Sequence, residues 1–138
     1  EQLLSGSDIF PMLEEFGLRF GKMNIYHHYG VGEIKAKKPV FSVANMIEPG
    51  VLNPQYQNFN TPGLVFFMRL PGPFGGRVAF ELMLHMAQRL ADTLKAQLED
   101  ERHQPLDQRN ISRLRERIAY FEQRQLGPTK KNVNGIQA

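Results

Sequence analysis

No cysteine and no tryptophan occur among the 138 residues. The first absence excludes disulfides, thiolate nucleophiles and cysteine-ligated metals, and it fits a reducing compartment. Long apolar runs are missing as well: nothing approaches the ~18 consecutive apolar residues of a membrane span, and the start has no signal-peptide pattern. Nor is there a large excess of either charge. Lys and Arg number 17 against 14 Asp and Glu, a formal balance of +3 spread along the chain, which points only weakly to an anionic partner. What the chain does have is apolar residues, 41% of the total with ten Phe, enough for the core of one domain. It opens on Glu1-Gln2 rather than Met and is read as part of a longer protein.

The central stretch is Gly63-Leu64-Val65-Phe66-Phe67-Met68-Arg69-Leu70, bounded by Pro62 and by Pro71-Gly72. Five successive apolar residues between turn formers predict a short strand. Alternation sends Leu64, Phe66 and Met68 to one face and Val65 and Phe67 to the other, so both faces are apolar.

Before it, residues 3–16 read as a helix capped by Ser7 or Asp8, with Ile9, Met12, Leu13 and Phe16 at helical spacing and Gly17 as the terminating residue. Residues 19–28 switch to strand period, with Met23 and Ile25 on one face and Asn24, Tyr26 and His28 on the other. A polar connection over 29–38 leads to a strand at 40–46, where Ser42, Ala44 and Met46 share one face and Phe41, Val43 and Asn45 the other. Residues 51–62 read as loop. After the central strand, 77–98 is the best helix, with Phe80, Met83, Leu84, Ala87, Leu90, Ala91, Leu94 and Leu98 in one stripe. A polar edge strand at 97–103 and a helix capped by Asp107 follow. That last helix carries Ile111, Leu114, Ile118 and Phe121, and Gly127-Pro128 ends it. The expected layout is α+β: an antiparallel sheet with helices packed on one face, residues 1–127 forming a single domain and 128–138 an unstructured tail.

Chemistry-bearing motifs are few. His27 and His28 are adjacent on a strand, so they point apart and cannot share a metal. Glu81 and His85 stand four apart on a helix, half a metal site at most without a third ligand. Glu14-Glu15 and Asp100-Glu101 read as wet surface rather than acid–base pairs. Gly30-Val31-Gly32 is too short for a dinucleotide loop, and Gly72 to Gly76 lacks the Lys-Ser/Thr of a phosphate loop. No catalytic residue, metal site or cofactor is assigned.

The informative feature is surplus apolar surface. Two long amphipathic helices cover one face of a four- or five-stranded sheet, the first helix packing at an edge. Met23/Ile25, Ala44/Met46 and Val65/Phe67 then tile the uncovered face, a patch of a few hundred Å² at the upper end of what monomers expose. Apolar pairs on strands are more often plain core, but the opposite faces (Tyr26; Phe41 and Val43; Leu64, Phe66 and Met68) are equally apolar.

Three blocks carry a resemblance: Phe20-Gly21-Lys22-Met23-Asn24-Ile25-Tyr26-His27, Phe41-Ser42-Val43-Ala44-Asn45-Met46-Ile47-Glu48-Pro49-Gly50 and Thr61-Pro62-Gly63-Leu64-Val65-Phe66-Phe67-Met68. With Met83 to Asp92 and the spacing between them, they resemble the C-terminal domain family of the bacterial division protein ZipA over residues 4 to 123. The resemblance implies a split β-α-β fold and a non-enzymatic function. A shallow groove on the open sheet face takes the C-terminal tail of FtsZ and so tethers FtsZ filaments to the inner membrane at the division site. The groove residues carried over are Met23, Ile25, Ala44, Met46, Val65 and Phe67, the six that alternation selects, with Lys22, Glu48 and Arg69 as possible rim. It also implies an N-terminal membrane anchor and linker outside this chain, a domain that is itself soluble in the cytoplasm, and a monomer. The chain departs from the pattern in three places. The family's groove-lining strand before the first helix is expected to lie ahead of this chain's start, a basic position is Glu48, and a threonine position is Val65.

The alternative is an RNA-binding module of the same split β-α-β class using the open face. Against it, the face offers Met, Ile, Val and one Phe rather than paired aromatics, and Arg109, Arg113, Arg115 and Arg117 read as a solvated helix surface.

Overall fold

The computed structural model describes residues 3–33, 35–56, 58–124 and 132–137. In chain order the elements are β1 (Leu4–Ser5), α1 (Gly6–Glu15), β2 (Arg19–Phe20), a single 3-10 turn (Lys22–Asn24), β3 (Tyr26–His28), β4 (Phe41–Asn45), β5 (Asn60–Thr61), β6 (Leu64–Leu70), α2 (Gly76–Leu94), β7 (Glu99–Asp100), α3 (Gln108–Arg124) and β8 (Asn132–Gln137). The fold is α+β. The main sheet has the order β2-β3-β4-β6-β8-β7 with every neighbour antiparallel, and β1 and β5 make a separate two-stranded pair.

Helix α1 lies within the expected 3–16, but its cap is Ser5 and not Ser7 or Asp8: the Ser5 hydroxyl accepts from the Ser7 amide at 3.2 Å. It ends as expected. Gly17 has φ +91°, and the Leu18 amide bonds back to the Leu13 carbonyl at 2.9 Å. A side chain at Gly17 is disfavoured by that φ. Helix α2 ends at Lys95, itself left-handed at φ 57°. Helix α3 starts on Asp107, whose carboxylate accepts from the Asn110 amide at 2.9 Å.

One core holds the molecule together. Leu64, Phe66, Met68 and Leu70 of β6 are buried with Phe80, Met83, Leu84, Ala87 and Leu90 of α2 and Ile111, Leu114, Ile118 and Phe121 of α3. Each large apolar side chain buried in this way contributes about 1.5–3 kcal/mol. The first helix joins this same layer, toward the β2–β3 end of the sheet: Ile9, Phe10 and Leu13 are buried, and Phe10 stacks on Tyr26 at 5.8 Å.

Three expectations are corrected. The strand expected over 19–28 is broken in two: β2 and β3 form a hairpin, pairing Arg19 with His27 and Phe20 with Tyr26. The turn between them holds Met23 at φ 62° and Asn24 at φ 58°. Positive φ at two consecutive non-glycine residues has no clear signature in composition. The strand expected at 97–103 shrinks to Glu99–Asp100, because the tip folds into a turn in which the Asp100 carboxylate accepts the amides of Arg102 and Gln104 at 2.8 and 2.9 Å. The tail expected to be unstructured contains β8, inserted between β6 and β7. Ile136 of β8, in register with Phe66, is fully buried. A seven-residue strand with an unpaired flank is costly to leave bare, and β8 supplies its partner. The expected helix end at Gly127-Pro128 and the rest of the tail, 128–131 and 138, lie outside the described residues.

Candidate functional site

Strands β3, β4 and β6 build the site by register. His27 pairs with Ser42 and Ser42 with Phe67; Ala44 pairs with Val65. Extending the β3–β4 register by one residue sets Ile25 alongside Ala44. These rows lie on the face away from the helices, since the alternate residues Tyr26, Val43 and Phe66 belong to the core. Along β6 the pattern is strict: Leu64, Phe66 and Met68 are buried, Val65 and Phe67 are half-buried and Arg69 is exposed.

The six expected groove residues divide. Val65, Phe67, Ala44 and Met46 are half-buried on the open face. Met23 is 71% exposed, but it projects from the 3-10 turn and not from a strand. Ile25 keeps only 5% of its surface, so it is floor rather than contact area. A groove of about 290 Å³ opens here; Met23, Ile25 and Phe67 line it together with Ser42, Pro71 and Pro73. It sits toward the His27–Ser42–Phe67 row, and Ala44, Met46 and Val65 continue the same face beyond it. Lys22, Arg69 and Lys38 are among the residues that line it. Glu48 lies outside this lining, exposed in the turn after Met46.

His27, Ser42 and Lys38 were not picked out by sequence. The His27 Nδ1 lies 2.7 Å from the Ser42 hydroxyl and its Nε2 lies 2.9 Å from the Lys22 carbonyl. A carbonyl only accepts, so Nε2–H donates to it, and Nδ1 of that tautomer accepts a hydrogen bond from the Ser42 hydroxyl. Both nitrogens are engaged inside the fold, and the pair gives an otherwise apolar floor a satisfied polar centre. Only the strand register brings residues 27 and 42 together.

On the helix side, His28 stacks on Phe41 at 5.2 Å, lies 3.2 Å from the Phe16 carbonyl through Nε2, and accepts the Gly30 amide at 3.0 Å through Nδ1. Burial lowers its pKa below the ordinary 6.5; the Phe16 carbonyl opposes that shift and the Lys35 charge adds to it. Tyr26, buried and 3.3 Å from the Glu14 carboxylate, has its phenol pushed up to about 12 by burial and by Glu14. Both are structural groups.

The other sequence motifs are absorbed by ion pairs. Arg115 grips Glu81 at 2.6 and 2.9 Å, which takes that carboxylate away from His85. Asp100, expected to be wet, is fully buried. Burial pushes its carboxyl upward, but the Gln104 and Arg102 amides and the charges of Arg102 and Arg113 outweigh this and hold it below the ordinary range. Arg117 pairs with Glu101 at 2.8 Å. Three of the five α3 arginines, Arg113, Arg115 and Arg117, are thus committed to carboxylates. Among the described residues no group of three or more His, Asp or Glu is arranged to hold a metal, and no helix is long and apolar enough to cross a membrane. A larger cleft, about 630 Å³, opens beside β2 between Glu14, Phe20, Tyr29 and Lys35. Its lining mixes both charges with backbone, and it lacks the continuous apolar floor of the sheet-face groove.

Helices confined to one face of an antiparallel sheet, with a water-facing apolar groove on the other, define a class: α+β domains with an open binding face. Comparison with known proteins narrows it. A protein of Marinobacter nauticus named cell division protein ZipA is 41% identical over 121 residues, covering 87% of this chain and 36% of that protein. Proteins of the same name from Pseudomonas fluorescens and Stutzerimonas stutzeri are each 36% identical over 126 residues, covering 88% of this chain and 43% and 44% of theirs. The chain belongs to the family described as ZipA, C-terminal FtsZ-binding domain, whose model matches residues 1–117. It spans less than half the length of these relatives.

Proposed function

We propose that this domain is a non-enzymatic adaptor of cell division that binds the C-terminal tail of FtsZ in the groove between β3, β4 and β6. One observation carries the reading: the sheet face opposite the helices is apolar, concave and open to solvent. Apolar side chains of the tail anchor against Met23, Met46, Val65 and Phe67, with Ile25 and Ala44 as floor. Met adapts to the shape of a partner, and Phe supplies a rigid anchor. The domain acts as a monomer and, in its full-length protein, links FtsZ filaments to the inner membrane through an anchor outside this chain.

The RNA reading fares worse on two grounds. Among the described residues lining the groove on the open side of β3, β4 and β6, Phe67 is the only Phe, Tyr or Trp, and the His27 ring beside it is tied to Ser42 and the Lys22 carbonyl, whereas a base-stacking sheet presents two or three free aromatics. The arginine-rich helix lies on the other side of the sheet, with Arg113, Arg115 and Arg117 paired.

Ordering a flexible tail offsets much of the contact energy, so the expected affinity is micromolar, about −7 to −9 kcal/mol. The test is titration of a fluorescein-labelled FtsZ tail peptide into the domain, followed by anisotropy. Saturable micromolar binding is expected, and no binding at millimolar domain sinks the proposal.

A further inference from the structure

We propose that the groove is electrically polarised along its length and that this polarity sets which way round a bound segment lies. The inference rests on the peptide-binding reading and adds a direction to it.

The five residues of β4 run along the site for about 17 Å at ~3.3 Å per residue. Lys38 stands three residues before β4, and Arg69 comes from the adjacent end of β6. Both are exposed, and both line the groove. The β4–β6 register carries Arg69 to the position opposite Val40, two residues from Lys38. Glu48 stands exposed at the other end, in the turn two residues beyond Met46. Lys22 adds a third positive charge on the flank, where its carbonyl meets His27.

What sets these charges apart is their place, at the two ends of one apolar face; several cations elsewhere are tied up. Arg77, Arg102, Arg113, Arg115 and Arg117 are each paired with a carboxylate. Among the described residues, Lys38, Arg69 and Glu48 make no ion pair at all. An apolar segment lying on Ala44, Val65 and Phe67 therefore meets unpaired cations at one end and an unpaired carboxylate at the other. The matching occupant is an apolar peptide with an acidic side chain flanking its anchor on one side and a basic side chain on the other. Exposed rim charges add little affinity individually, but they discriminate between orientations, because the wrong one sets like charges together.

The experiment uses three labelled synthetic peptides sharing one apolar core taken from an FtsZ tail. One has two Asp before the core and two Lys after it, one has these flanks exchanged, and one has neutral flanks. At low salt the domain is expected to separate the two charged peptides by about fivefold, and the triple variant K38E/R69E/E48K to invert the preference while its circular dichroism stays unchanged. Equal affinities, or a preference that persists in the triple variant, overturn the polarity but leave the groove standing. Failure of the neutral-flank peptide to bind overturns the groove reading and the inference with it.

Discussion

Two neighbouring phenylalanines show how finely the site is divided. Phe66 is buried among the helices, and Phe67 is half-buried on the open face, one residue along the same strand. Phe66→Ala removes core volume and is expected to cost about 3–5 kcal/mol, visible as a loss of the cooperative thermal transition. Phe67→Ala is expected to weaken FtsZ-tail binding at least fivefold while the melting temperature moves by only a few degrees. If Phe67→Ala unfolds the domain, Phe67 is core and the groove assignment fails. This split was legible in the sequence, because strand alternation needs nothing but the order of residues. The His27–Ser42 pair was not, because it depends on which residues face each other across β3 and β4. His28 yields a prediction at the same scale. Burial keeps its imidazole neutral in the folded state, so its folded pKa lies below the ordinary 6.5. Above that value both folded and unfolded chains are neutral there, and the group is silent. As pH falls below about 6.5 the unfolded chain takes up a proton that the folded chain refuses, and stability is lost. Chemical denaturation at pH 7.5, 6.0 and 5.0 is expected to show a decline that His28→Asn flattens; equal slopes in the two proteins count against this role.

At the scale of elements, α2 begins where three parts of the fold converge. Its first residue, Gly76, has no side chain, and a Cβ there meets Leu70 at 2.7 Å and Ile118 at 2.9 Å. The preceding Gly75 offers no capping side chain. Glu122 of α3 does the job instead, its carboxylate accepting the amides of Gly76 and Arg77. A negative group at a helix start also suits the dipole. Gly76→Ala raises helix propensity but overfills this junction, so it is expected to destabilise by about 1–3 kcal/mol, measured by urea denaturation. A stabilising Gly76→Ala contradicts the packing described. The long helices themselves were legible from their stripes, and so was β6. Strand β8 escaped because six residues, half of them Asn or Gly, carry too little apolar periodicity to register. Its reason for existing lies elsewhere, in the flanks of β6 and β7.

Taken whole, the molecule has helices enough for one side of its sheet. The packing of α1 on that same side, beside Tyr26, leaves none for the other. That asymmetry distinguishes an apolar partner from a polyanionic one through salt. A peptide held by apolar contact, with a few exposed charges at the rim, releases few counterions, and those charges are screened within about 10 Å at 0.1 M salt. Tail affinity is therefore expected to fall less than about fivefold between 50 and 200 mM salt, most of that change coming from Lys38, Arg69 and Glu48. A nucleic acid contacting six to ten phosphates loses roughly 10³–10⁵ over the same range. The formal charge of only +3, with three of the five α3 arginines spent on internal carboxylates, is too small a reserve for the second behaviour. Anisotropy titrations of the FtsZ tail peptide and of a single-stranded RNA oligonucleotide, run side by side at both salt concentrations, separate the two. Tight, steeply salt-dependent RNA binding together with an inert peptide hands the open face to the alternative reading.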